Sequence, residues 1–123
     1  MKIQRKRNPN TLKLYHGTSL RNANLLLKNG WHPNKVSRGA NQGQTKYLYL
    51  TTEPLDALWF AEEKGESTIL QVMVPIDYLI VDPEDGVGET VDEELKISKR
   101  LKMPAKFALI KELEASNFDL YSV

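Results

Sequence analysis

Leu14-Tyr15-His16-Gly17-Thr18 is the stretch that decides how this chain is read, taken together with Tyr47-Leu48-Tyr49-Leu50-Thr51-Thr52 and the Ala57-Leu58-Trp59-Phe60-Ala61 that follows. The first segment places a histidine, a glycine and a hydroxyl at the end of an apolar strand, where a small molecule reaches both side chains and bare backbone. The second is an alternating strand with its tyrosines on one side, followed at once by a helix bearing aromatic residues. Together they describe a slot for a flat polar ring.

Residues 1–10 read as a flexible basic arm that ends in the turn Asn8-Pro9-Asn10, and residues 11–123 as a single domain. Leu12 and Leu14 alternate with Lys13, giving a first strand that delivers His16 to its end. Ser19 is a helix N-cap candidate. Leu20, Ala23, Leu26 and Leu27 follow at helical spacing until Asn29-Gly30 stops the helix. From Trp31 to Lys46 the chain reads as a long loop, of the kind that is usually functional or mobile. Tyr47 to Thr52 restores a strand, and Thr52-Glu53-Pro54 opens a second helix with proline at its start, ending near Lys64-Gly65.

Thr68 to Val74 and Tyr78 to Val81 are β-rich runs broken by Pro75 and by Asp82-Pro83. An acidic, turn-rich segment runs from Asp82 to Glu94 and leads into a short helix containing Leu95, Ile97 and Leu101. Phe107 to Ile110 and Phe118 to Tyr121 close the chain as strands. Strands and helices are interspersed irregularly rather than as βα repeats, which predicts an α+β fold.

The chain has 123 residues and no cysteine, enough for one core but not two, and without thiolate chemistry, disulfides or cysteine zinc sites. Cysteine-free composition fits a cytoplasmic location. Its two histidines, His16 and His32, argue against a histidine-rich metal site. No apolar run is long enough to span a bilayer, and the basic start leads into Asn8-Pro9-Asn10 rather than the apolar core of a signal peptide. The net charge of +1 hides an asymmetry: ten Lys and Arg precede Glu53, and no Asp or Glu does. Either the basic half presents a face that attracts phosphates, or the two halves neutralise each other across the fold.

A lone strand-end histidine is ordinarily a satisfied structural residue, and it is the company of Gly17 and Thr18 that sets His16 apart. Of Tyr47 and Tyr49, which share a face, Tyr49 is favoured for the slot. Trp59 and Phe60 point in different directions from one helix, so at least one of them packs. His32 reads as incidental, and the acidic run lacks the spacing of a calcium loop.

In element order and in these motifs the chain resembles the ADP-ribosyltransferase superfamily, in its histidine-tyrosine branch of diphtheria-toxin-like and poly-ADP-ribose-polymerase-like enzymes. The resemblance covers Leu12 to the closing strands. It implies an ADP-ribosyltransferase-like split β-sandwich with short flanking helices, and NAD as substrate. It further implies that the Gly17 backbone pairs with the nicotinamide carboxamide, that the Thr18 hydroxyl adds a bond to it, and that His16 holds a ribose hydroxyl of the adenosine half. Tyr49, with Tyr47 beside it, would face the ring and Trp59 would stack opposite. Glycine suits its position on this view because the ligand lies where a side chain would collide.

The family's chemistry is substitution at the ribose carbon bearing nicotinamide, through a transition state with oxocarbenium character. Its best-known members carry a glutamate on a late strand, and here that position falls closest to Lys106. The resemblance then leaves three alternatives. The acid comes from elsewhere, with Glu93, Glu94 and Glu112 as candidates; or the acceptor is anionic and is positioned by Lys106 or Arg38; or the protein binds without catalysing. The leading expectation is an NAD-dependent mono-ADP-ribosyltransferase with a protein or nucleic-acid acceptor, of the compact kind seen in bacterial or phage effectors. Its catalytic residues would be His16, Tyr49 and Lys106. The alternatives are an NAD-dependent RNA 2'-phosphotransferase-like enzyme and a catalytically inactive interaction module.

Overall fold

A computed structural model describes residues 11–33, 47–82, 91 and 104–123. The arm, Arg38 and most of the loop before Tyr47, and residues 83–90 and 92–103, with most of the acidic segment and the helix expected around Leu95, Ile97 and Leu101, lie outside the described residues. Strand β1 is Thr11–Thr18 and helix α1 is Leu20–Asn29. Ser19 caps α1 by accepting the Asn22 N–H at 3.1 Å, which satisfies one of the free donors at a helix start. Gly30 ends the helix at φ 76° and donates its N–H to the Leu26 carbonyl at 2.8 Å. Trp31 then exchanges two backbone hydrogen bonds with Leu113, at 2.8 and 3.0 Å, which ties the start of the predicted loop to the C-terminal part of the chain.

Strand β2 (Leu48–Thr51) leads into α2 (Pro54–Glu63), whose first residue is the proline that the sequence places there. β3 is Thr68–Pro75; a 3-10 turn at Ile76–Tyr78 separates it from β4, Leu79–Val81. β5 (Lys106–Leu109) and β6 (Phe118–Tyr121) follow. The fold is mixed α+β, with one antiparallel sheet of six strands in the order β4-β5-β2-β1-β3-β6.

Alternation along these strands divides the apolar residues between two faces. Leu14, Leu50, Leu70, Val72, Phe107 and Leu109 join Ala23 and Leu26 of α1 in the main core, while Tyr15 and Ile69 meet Ala57 of α2 in a smaller cluster. The helices therefore cover opposite faces. The inner face of α2 is made of alanines, Ala57 and Ala61, each 1% exposed. They let the helix lie directly on Gly17, where an added Cβ would collide with the Ala57 carbonyl oxygen and sit 3.2 Å from the Ala61 nitrogen. Gly17 is thus required by helix-on-strand packing. That replaces the expectation that a ligand fills the space of its missing side chain.

Pairing is uneven across the sheet. β1 and β3 are in register over eight residue pairs, but β1 and β2 pair only at Tyr15↔Thr51. The halves β4-β5-β2 and β1-β3-β6 are joined at this short seam. Backbone N–H and C=O groups alternate sides along a strand, so beyond Tyr15 some of those in β1 face β2 without a ladder partner there.

Candidate functional site

A cavity of about 460 Å³ opens at the seam, lined by the end of β1, by β2, by the inner side of α2 and by the β4 and β5 ends. Its lining includes His16, Gly17, Thr18, Tyr47, Tyr49 and Lys106, so the two motifs that are distant in sequence meet around one space. Among the described residues the buried polar side chains are Thr18, Thr51 and Asp82, and all three line this cavity. Buried polar groups cost free energy unless they are satisfied, and Thr51 Oγ1 accepts the Glu53 N–H at 3.3 Å at the start of α2.

His16 bridges the seam. Its Nδ1 lies 2.8 Å from the Tyr49 carbonyl oxygen, and a carbonyl only accepts, so Nδ1 carries the proton and donates. Nε2 is left with its lone pair as an acceptor. Burial of the ring disfavours the imidazolium, and the Lys64 charge adds to this; the bond to Tyr49 acts in the opposite sense, and the net result is a pKa lowered from 6.5 to about 4. At neutral pH the site holds an uncharged imidazole.

The aromatic walls are Tyr15, Tyr47, Tyr49 and Phe60. Tyr47 and Tyr49 pack edge to face with centroids 6.1 Å apart, as expected of neighbours on one strand face. Tyr15 packs on Tyr121 at 4.9 Å, and burial together with Tyr121 holds its phenol above the ordinary tyrosine range. Trp59 does not line the cavity: it is 55% exposed, and it is Phe60 that reaches the lining, with the Trp59 ring against it at 5.2 Å. Helical geometry turns adjacent residues about 100° apart, so with Ala57 and Ala61 facing inward only one of the pair can reach the slot.

Lys106 begins β5, opposite Thr51, and its Nζ sits 5.4 Å from the centre of the Phe60 ring. Lys64, at the C-terminal cap of α2, is a second cation on the lining, and Glu66 and Asp82 supply two carboxylates. Of the acids offered by sequence, Glu112 lies away from the cavity, 3.6 Å from His32, and Glu93 and Glu94 are outside the described residues. Asp82, Lys64 and Glu66 are therefore lining residues that the motifs did not single out, and Phe60 takes the place expected of Trp59. The signal for Asp82 was present only as the polar stop that ends an apolar strand.

No family model matches the chain, and no curated protein matches it either. The functional reading stands on the geometry and on the motifs.

Proposed function

We propose that the protein is an NAD-dependent mono-ADP-ribosyltransferase acting on a macromolecular acceptor. The observation that carries this reading is the convergence of His16, Gly17, Thr18 and Tyr49 on one cavity, which the buried polar residues Thr18, Thr51 and Asp82 also line. The cavity volume lies within the ~300–1,000 Å³ typical of small-molecule sites. Its chemistry suits NAD: aromatic faces for the flat nicotinamide ring, the Thr18 hydroxyl for its carboxamide, and His16 Nε2 as an acceptor for a ribose hydroxyl of the adenosine half. Bound there, NAD supplies the activated ribose carbon that the transfer reaction attacks.

A neutral imidazole serves such binding better than an imidazolium, because it keeps a lone pair to accept the hydroxyl. The single Tyr15↔Thr51 link at the seam is also consistent with the split β-sandwich that the family resemblance implies.

Incubation with NAD labelled in its adenylate portion and with cell lysate tests the reading. Label transfer that His16→Ala and Tyr49→Ala abolish is the expected result. Neither transfer nor NAD binding by calorimetry would leave the interaction-module alternative. A second reading, NAD-dependent removal of an RNA 2'-phosphate, is favoured by Lys64 and Lys106 both lining the cavity, since two cations suit a phosphorylated substrate. Loss of phosphate from a 2'-phosphorylated RNA in the presence of NAD would select it.

A further inference from the structure

Asp82 is the one buried carboxylate among the described residues, 9% exposed, and it lines the cavity. Sheet register fixes where it stands. Val81 faces Phe107 in the β4–β5 ladder, and the Asp82 N–H donates to the Lys106 carbonyl at 3.1 Å, which continues the register by one step. Lys106 in turn faces Thr51 across β5 and β2. Thr51, Lys106 and Asp82 form a row across three strands, on the face opposite Phe107 and Leu109 of the main core. Neighbours in such a row lie about 5 Å apart at Cβ.

Aspartate is rarely buried, because its desolvation is costly even with polar partners. A carboxylate at the wall of a ligand-sized cavity, in register with Lys106 on the neighbouring strand, stands where it can act on what the cavity holds. We propose that Asp82 is a catalytic residue that meets the reacting ribose and the acceptor, placed one strand away from Lys106, where the motif pattern leaves the site without an acid. This rests on the ADP-ribosyltransferase reading.

In the step assigned to it, the bond between the ribose carbon and the nicotinamide nitrogen breaks, and its electron pair leaves with the ring, which becomes neutral. A lone pair of the acceptor forms the new bond to that carbon. The acceptor's proton passes to the Asp82 carboxylate and from there to water. While the ribose is most positive, the same carboxylate offsets that charge.

The test compares wild-type protein with Asp82→Asn and Asp82→Glu, measuring NAD affinity by calorimetry, the transfer rate with labelled NAD, and the melting temperature. Asp82→Asn is nearly isosteric, so melting temperature and NAD affinity are expected to stay within about threefold of wild type while kcat falls about 100-fold or more, the usual worth of a positioned acid or base. Asp82→Glu should restore part of the rate. Transfer by Asp82→Asn at the wild-type rate overturns the proposal and leaves the transferase reading intact, and so does a loss of affinity that accounts for the whole loss of rate. Should the asparagine variant not fold, an Asp82→Ser variant that transfers at the wild-type rate overturns it as well. Wild-type protein that binds no NAD overturns both.

Discussion

The His16 imidazole and the Tyr49 carbonyl, 2.8 Å apart, hold together two strands that otherwise pair at only one residue position. A side chain here joins the strands beyond their one ladder pair, and both residues line the cavity at the seam. The same hydrogen bond leaves Nε2 as the imidazole's free acceptor. Fold and site therefore meet at one bond.

Acidification should act through His16 first. Its pKa is lowered from 6.5 to about 4, so the unfolded chain binds the proton more readily and stability falls as pH drops from 6.5 through 4. The upper bound is on the order of 3 kcal/mol, reduced by water at the half-buried ring. Melting temperatures of wild type and His16→Gln across this window check it: the variant should lack this component of the slope. A His16 resonance titrating near 6.5 in NMR would contradict it.

Gly17→Ala should destabilise by roughly 2–3 kcal/mol or more, because the new methyl runs into backbone of α2 rather than a movable side chain. Gly65→Ala is the contrast. Gly65 has φ 76° with open space around it, so only the left-handed backbone is penalised, by about 1 kcal/mol. Urea unfolding of the two variants should rank them in that order; equal losses would mean that α2 does not rest on Gly17.

Phe60→Ala should weaken NAD binding by about tenfold, the worth of an aromatic contact of ~1.4 kcal/mol. Trp59→Ala should change affinity by less than about threefold, since Trp59 stands outside the cavity and acts only by packing on Phe60. Calorimetric titration of both variants decides the matter, and a larger loss at Trp59 would reverse the assignment.

Much of the fold was legible because its signals are local. Ser19, Gly30 and Pro54 mark helix ends through their own backbone chemistry, and the strand alternation around Leu14 and Leu50 needs no knowledge of the partner strands. The phase of α2 was not legible. Its inner face had to be small to fit against Gly17, so the alanines point inward and the large residues Leu55 and Trp59 outward, the reverse of an ordinary amphipathic helix. Asp82 was hidden for another reason: what makes it a site residue is its register against Lys106, a pairing across distant parts of the chain that no local pattern encodes.

On the proposed function, the seam between β1 and β2 receives the nicotinamide half of NAD. Amide chemical shifts followed during an NAD titration of the isotope-labelled protein report where the ligand sits. Perturbations concentrated at Gly17, Thr18, Tyr49, Phe60 and Lys106 are the predicted result. Shifts confined to the far edge around β6, or none at millimolar NAD, would contradict it.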